Sequence, residues 1–381
     1  MSLESRALSR GVLVWHVGRE GSRRPSEQLL KLTSKGDELE DQRSVKAAAD
    51  AVALSADAPR LLGALKARGG RGDAKDGKAK AEEEALPPKA AFLLDVSHVP
   101  ADDLEAMSLE LPAVNDLVQK AKSVVGCSTA VRTFNVNHSP LHGFIGSLAG
   151  LEKFKNDTPQ ASGAASIVPV GPGGTLAAFC AAGVMTIEDG LRLAKLAEDA
   201  TAELASSGKK QRAICVTGFK RALVSTLCQQ AAAKEDGGVC KIAAFISRDT
   251  FVVSGTEPAI GSFEKLAKAS PGHCEVSTKG ELGFCSSLMQ TAQEKLNESL
   301  DVLPASLKPP TTAVWMTTEV KILRPGADPV EILDVLKRLL TSPLLIDQCM
   351  KAALKDGVRE FYHCNATQKM IVENISDDIL E

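Results

Sequence analysis

The sequence lacks three features, and each absence excludes a class of protein. No apolar run among the 381 residues approaches the ~20 residues that a membrane-spanning helix needs, so we expect no integral membrane protein. The nine cysteines include no C-x-x-C pair and are odd in number, which argues against a disulfide framework and a structural zinc site. A formal net charge of −3 gives no global attraction to nucleic acid or to an anionic membrane.

What is present is the composition of a globular protein. The chain is 44% hydrophobic and 24% charged, which suits a sizeable core. Scattered single cysteines are best explained as buried, reduced thiols, and these favour the cytosol or an organellar matrix. We expect no cofactor, no metal ion and no specific contact with nucleic acid.

Residues 1–88 differ from the rest of the chain. The first 24 residues carry five arginines and several serines but few acids, a pattern that resembles an organellar targeting segment. Residues 58–89 are poor in bulky apolar side chains and dense in charge, so burial there cannot offset the entropy of ordering the chain. We therefore predict an N-terminal arm or linker over residues 1–88 and a mitochondrial location, with a plastid or the cytoplasm as alternatives.

From residue 89 the pattern predicts an α/β fold. Residues 211–280 follow the order β-α-β-β-α-β, which is the ferredoxin-like unit. This unit interrupts a longer pattern of strands and helices that resumes after it. We predict a large subdomain over residues 89–208 and 281–381 and a small subdomain over residues 209–280.

A glycine-rich turn follows a buried strand at residues 164–170 and precedes a helix. Enzymes with α/β folds use such turns to expose a nucleophile or to bind a phosphate through helix amides. The turn reads Gly171, Pro172, Gly173, Gly174 and Thr175, and the first four residues carry no nucleophilic side chain. We expect the Thr175 hydroxyl to cap the helix. Two interpretations stay open: a structural turn, or a turn that binds a phosphate.

Five strings, in this order, resemble the malonyl-CoA:acyl-carrier-protein transacylase family and the acyltransferase domains of fatty-acid and polyketide synthases. They are LPAVNDLVQKAKSVVG at 111–126, AAFCAAGVMTIEDGLRLAKL at 177–196, FVVSG at 251–255, SSLM at 286–289 and LTSP at 340–343. The resemblance covers residues 90–375. It implies an α/β-hydrolase-like large subdomain with an inserted ferredoxin-like small subdomain.

The resemblance also implies where the family's chemistry would lie. The serine of the family's G-H-S-x-G motif falls on Pro172 and the last glycine of that motif on Gly174. The general-base histidine falls on Cys285, and the arginine that pairs with the malonyl carboxylate falls on Ala197. Proline has no nucleophilic atom, a neutral thiol is not a base, and alanine offers a carboxylate no partner. The family's asparagine falls on Ile246, and residues 95–98 and 364–367 replace two of its loops.

Because these positions differ together, we expect the chain to be a pseudoenzyme, not an enzyme. The expected function is a structural or assembly subunit of a multiprotein complex, with other subunits and an acyl carrier protein as partners. One alternative is a divergent acyltransferase that uses Cys285 or Ser286, and another is a sensor of acyl-CoA or carrier protein. A residual ligand site would involve Gly171, Gly173, Gly174, Thr175, Ser97, Cys285 and Ser286.

Overall fold

The computed structural model describes residues 2–8, 12–18, 89–94, 101–126, 139–157, 166–206, 210–270, 275–280, 282–301 and 303–362. All of them belong to one of the two units into which the chain divides. The second unit, residues 21–87, lies outside the described residues.

A seven-stranded sheet forms the larger layer, with strand order β1-β2-β11-β3-β4-β9-β10. Its strands are β1 (Ser2–Leu8), β2 (Val12–Gly18), β3 (Lys89–Leu94), β4 (Ser166–Pro169), β9 (Ala313–Met316), β10 (Lys321–Leu323) and β11 (Val358–Tyr362). The four central strands β11, β3, β4 and β9 run parallel, and the strands at both edges are antiparallel. The carboxyl ends of the central strands therefore meet at one edge, where α/β proteins place their ligands.

The hairpin of β1 and β2 lies inside the segment that we assigned to an arm. Strand β2 pairs with β11, with Trp15 opposite Phe361 and His16 opposite Glu360. The segment VLVWHV is rich in β-branched and aromatic residues, which favour a strand once a partner strand is available. The prediction of a targeting segment relied on the arginines within and around these two strands.

A second, four-stranded sheet has the order β6-β7-β5-β8 and is antiparallel throughout. Its strands are β5 (Gln211–Thr217), β6 (Cys240–Phe245), β7 (Thr250–Thr256) and β8 (Glu275–Gly280). Helix α6 (Arg221–Ala233) follows β5, and α7 (Glu257–Ala269) follows β7. The sheet contacts the larger layer at Leu344, whose carbonyl accepts a 2.8 Å hydrogen bond from the Phe245 amide.

The remaining helices surround the larger sheet. They are α1 (Ala101–Glu110), α2 (Pro112–Val125), α3 (Pro140–Asp157), α4 (Gly171–Ala181), α5 (Ile187–Ser206), α8 (Gln290–Glu298), α9 (Ile332–Leu336) and α10 (Ile346–Lys355). Short 3₁₀ helices lie at Ser287–Met289, Leu303–Ser306 and Pro329–Glu331. In the part of the chain that the structure describes, no helix combines the length and apolarity that crossing a membrane requires.

The two faces of the large sheet pack against different cores. Ile167 and Val314 face helices α1 to α5, α8 and α9. Val168 and Trp315 face the opposite side, which α10 covers. The mixed α/β fold is thus confirmed, with small differences in element bounds. Residues 329–336 form a 3₁₀ helix followed by α9, and residues 363–381 lie outside the described residues.

Candidate functional site

The turn between β4 and α4 has the backbone of a nucleophile elbow. Helix α4 begins at Gly171, whose φ is +74°, a left-handed value that glycine adopts without strain. Proline cannot adopt it, because its ring fixes φ near −65°. The residue with left-handed backbone in this strand-to-helix turn is therefore Gly171. The resemblance aligns the family's serine with the next residue, Pro172.

Gly173 lies two residues further on, where a helix crosses closely. A Cβ at this position would lie 2.5 Å from the Pro140 carbonyl oxygen and 2.7 Å from the Phe144 amide nitrogen, both in α3. Only a glycine permits this approach of α3 to α4.

Thr175 does not cap the helix, so that expectation is wrong. The helix begins four residues earlier, and the Thr175 hydroxyl donates a 2.8 Å hydrogen bond to the Gly171 carbonyl oxygen within it. The amide groups at the start of a helix have no partner within the helix. Since Pro172 has no N–H, Gly171 and Gly173 carry the amides of this first turn, and both residues are buried.

Cys285 and Ser286 are both held by the fold. Burial raises the pKa of the Cys285 thiol to about 12, whereas the alternative with Cys285 as nucleophile required a lowered value. The thiol belongs to an apolar cluster that includes Val170 and Ile246. The Ser286 hydroxyl donates to the Gly283 carbonyl at 2.5 Å and accepts from the Leu288 amide at 3.2 Å, so it caps a 3₁₀ helix.

Ala197 is fully buried in α5, and the residue after it is acidic. Glu198 accepts hydrogen bonds from the Ser139 hydroxyl and, at 3.3 Å, from the Leu141 amide at the start of α3. Burial raises the pKa of the Glu198 carboxyl, although these two hydrogen bonds act in the opposite direction. The position that the resemblance aligns with the family's substrate arginine is thus a buried alanine beside a carboxylate.

Several predicted positions lie outside the described residues. These are Ser97 and His98, which follow β3 in the sequence, and residues 364–367, which follow β11. Ile246 is described and is buried beyond the end of β6. Together, the structure brings Gly171, Gly173, Gly174 and Thr175 into one turn, and it places Val170 in the same apolar cluster as Cys285.

Sequence reasoning missed a basic surface at one end of the small sheet. Lys220 and Arg221 lie at the start of α6, and Arg248 lies in the hairpin between β6 and β7. The Gly218 amide donates to the Asp249 carbonyl at 3.0 Å, which joins the two segments. All three cations are exposed. In the sequence, the neighbouring residues Lys220 and Arg221 at the start of a helix indicate this surface.

Sequence reasoning also missed two polar features. Thr317 and Thr318 follow β9 at the carboxyl edge of the large sheet, and their hydroxyls are buried. A cleft of about 320 Å³ lies in the small subdomain, lined by residues that include Lys210, Glu235 and Glu257. Among the described residues, no group of three or more His, Cys, Asp and Glu side chains could hold a metal ion.

Comparison with solved structures identifies the fold. A malonyl CoA-acyl carrier protein transacylase from Coxiella burnetii is 19% identical, with a TM-score of 0.65 over 76% of this chain and 90% of that chain. An acyl carrier protein S-malonyltransferase from Vibrio cholerae is 19% identical, with a TM-score of 0.64 over 75% and 94%. A type II PKS malonyl-transacylase, solved in complex with its acyl-carrier protein, is 18% identical, with a TM-score of 0.61 over 71% and 86%.

No family model matches the chain, and no curated protein matches it. The expectation that the chain is not an enzyme is wrong. The structures that share its fold are transacylases by name, and no finding shows a loss of catalysis in this chain. The residues at positions 172, 197 and 285 record differences from the family's pattern and do not by themselves establish inactivity. The resemblance drawn from the sequence is confirmed: the chain has the fold of the malonyl-CoA:acyl carrier protein transacylases.

Proposed function

We propose that this protein binds acyl groups carried as thioesters on coenzyme A or on an acyl carrier protein. The observation that carries the proposal is the transacylase fold, shared over about three quarters of the chain. One structural neighbour is a malonyl-transacylase in complex with a type II PKS acyl-carrier protein. The elbow turn supplies two amide donors, from Gly171 and Gly173, that suit a thioester carbonyl oxygen.

The basic surface at Lys220, Arg221 and Arg248 supports a carrier with a phosphate group. Coenzyme A and the phosphopantetheine arm of a carrier protein both present phosphate next to the pantetheine chain, and arginine binds phosphate in bidentate geometry. The Arg221 guanidinium lies 4.5 Å from the centre of the Phe245 ring, which holds it in place. Phe245 contacts Leu344, and the Leu345 amide donates to the Thr317 carbonyl at 2.7 Å, so the basic surface is linked to the carboxyl edge.

The acyl group itself need not be malonyl. Ala197 itself offers a carboxylated acyl group no cationic partner, and the next residue, Glu198, is acidic. We expect acetyl-CoA to bind at least as tightly as malonyl-CoA. Titration calorimetry of the full chain with acetyl-CoA, malonyl-CoA and holo acyl carrier protein tests the proposal. Saturable binding of acetyl-CoA or the carrier protein is expected, and no heat with any of the three would overturn it.

A second candidate function is acyl transfer, favoured by the elbow backbone at Gly171. Incubation with labelled acetyl-CoA and an acceptor carrier protein measures it directly. Transfer with no label retained on the protein would indicate a direct reaction between the two carriers. Label that is lost in Cys285→Ala or Ser286→Ala would indicate a covalent intermediate. If the protein neither transfers the acyl group nor retains label, binding without transfer remains the proposed function.

We also propose that the protein acts within a larger mitochondrial assembly. Five arginines among the first 24 residues motivate the location. Affinity purification from mitochondrial extract, followed by mass spectrometry, is expected to recover stable partner subunits. A tagged chain found outside mitochondria, purified as a lone monomer, would contradict this part of the proposal.

A further inference from the structure

The turn between β9 and β10 comprises residues 317–320, and we call it the β9–β10 turn. The amides of Glu319 and Val320 both donate to the Met316 carbonyl at 3.0 Å, which closes the turn. Val320 has a φ of +55°, an outlier for a β-branched residue. Strained backbone of this kind occurs preferentially at ligand sites.

The turn lies at the same edge of the sheet as the elbow. Strands β4 and β9 are parallel neighbours, with Ser166 opposite Ala313 and Ile167 opposite Val314. The two strands end at Pro169 and Met316, so Val170 and Thr317 each follow the carboxyl end of one of these neighbouring strands. Trp315 and Val170 belong to the same apolar cluster, which is consistent with that placement.

Three buried polar atoms in this region have no hydrogen-bond partner among the described residues. They are the indole nitrogen of Trp315 and the hydroxyl oxygens of Thr317 and Thr318. Trp315 is 4% exposed and Thr317 is 2% exposed. Buried polar groups in native proteins are almost always paired, and an unpaired group carries its full desolvation cost. The fold therefore retains three polar groups here at a cost that a bound ligand would remove.

The chemistry of these groups limits the ligand. An indole N–H only donates, and a threonine hydroxyl both donates and accepts. None of the three is charged. The acid within the turn, Glu319, pairs with Arg338. Asp347 on α10 forms an ion pair with Lys351 at 2.6 Å, although its buried Oδ1 has no hydrogen-bond partner of suitable geometry among the described residues. The groups therefore suit a neutral ligand with carbonyl oxygens.

We propose that Trp315, Thr317 and Thr318 bind the amide and thioester oxygens of a pantetheine arm that enters at the carboxyl edge. This inference rests on the proposed function, because that function supplies the arm. Thr318 is partly exposed as a residue, although its hydroxyl is buried like that of Thr317. The elbow amides of Gly171 and Gly173 would then lie at the acyl end of the same arm.

The test uses the isosteric variants Thr317→Val and Thr318→Val in the full chain. Each is expected to weaken binding of acetyl-CoA and of holo acyl carrier protein roughly tenfold. Without ligand, each should melt at the same temperature as the unaltered protein or higher, because the variant removes an unpaired hydroxyl. Using both carriers separates a pantetheine arm presented by coenzyme A from one presented by a protein.

Thr256→Val is the matched control. The Thr256 hydroxyl is buried but accepts a hydrogen bond from the Val239 amide at 3.3 Å, so its loss should lower the melting temperature and leave affinity unchanged. If the unaltered protein binds a carrier but Thr317→Val and Thr318→Val bind it equally well, the inference is overturned. A melting temperature lowered as far as in the control would overturn it too, since the hydroxyl would then have a structural partner. No binding by the unaltered protein overturns both proposals.

Discussion

The carboxyl group of Glu198, a residue of α5, lies against the first turn of α3. Its burial there raises its pKa above the ordinary value of 4.5. A raised acid pKa means that the folded protein holds the proton more tightly than the unfolded chain. The corresponding stabilisation is complete below pH 4.5 and is lost as the pH rises through the folded value. This residue therefore favours the folded state more at mild acidity than at neutral pH.

We predict that Glu198→Gln removes this dependence. The stability of the unaltered protein relative to the variant should fall as the pH rises from 4.5 toward 7, because only the unaltered protein ionises a buried group. Thermal melts of both proteins across that range measure it. Glu188→Gln is the control, and its pH dependence should have the opposite sign. The hydrogen bond from Lys120 lowers the pKa of Glu188, so the stability of the unaltered protein relative to this variant should rise with pH. A parallel pH dependence for both variants would refute the assignment.

A second prediction concerns Cys285. Because burial raises the pKa of its thiol to about 12, almost no thiolate exists at neutral pH. In the native protein at pH 7.5, iodoacetamide should leave Cys285 unmodified, and in denaturant it should modify Cys285 fully. Peptide mass spectrometry measures both. Rapid alkylation in the native protein would contradict this prediction and would support Cys285 as the nucleophile of an acyl transfer.

At the scale of elements, the elbow depends on the contact between α3 and α4. Gly173→Ala would place a Cβ 2.5 Å from the Pro140 carbonyl, and neither backbone can move without repacking the core. We predict a loss of about 1–3 kcal/mol in the free energy of unfolding, as for other overpacked sites. Denaturant titration gives the value.

Gly261→Ala is the matched control for that substitution. Gly261 lies within α7, and a Cβ there would meet no atom within 4 Å. Alanine should therefore stabilise the helix by about 0.5–1 kcal/mol. If Gly173→Ala proved as stable as Gly261→Ala, the close approach of α3 to the elbow would be refuted.

Local signals in the sequence predicted local structure correctly. A threonine with an acid three residues later is a helix-start pattern, and at the start of α5 the Thr186 hydroxyl accepts a 3.0 Å hydrogen bond from the Asp189 amide. That contact depends only on residues near each other in the chain. The strand, turn and helix around Gly171 were predicted for the same reason.

Features that depend on distant residues were not predicted. Strand β2 forms because β11 offers its edge, and no pattern near Val14 carries that information. The position of the elbow depends on the sign of φ at Gly171, which an alignment of letters does not contain. The pKa of Cys285 depends on what buries the thiol, and the unpaired hydroxyls near Thr317 depend on α10 and β4. The fold was therefore largely predictable, whereas the candidate site was predictable only at its turn.

At the scale of the whole molecule, the amino-terminal hairpin closes one side of the large sheet. Deleting residues 2–18 would expose the backbone edge of β11, and exposed edges promote association between chains. We predict a lower melting temperature and self-association in size-exclusion chromatography. Deleting residues 2–8 removes only β1 and leaves β2 on β11, so its effect should be smaller. Equal behaviour of both deletions and the full chain would mean that the hairpin does not support the sheet.

The central claim is that the carboxyl edge of the large sheet, between the elbow and the β9–β10 turn, binds an acyl thioester. An experimental structure of the full chain with acetyl-CoA tests it most directly. We predict that the pantetheine arm lies within hydrogen-bond distance of Thr317 or Thr318, with the acyl carbonyl near the Gly171 and Gly173 amides. A pantetheine arm bound elsewhere, for example in the small-subdomain cleft beside Lys210 and Glu257, would contradict the account.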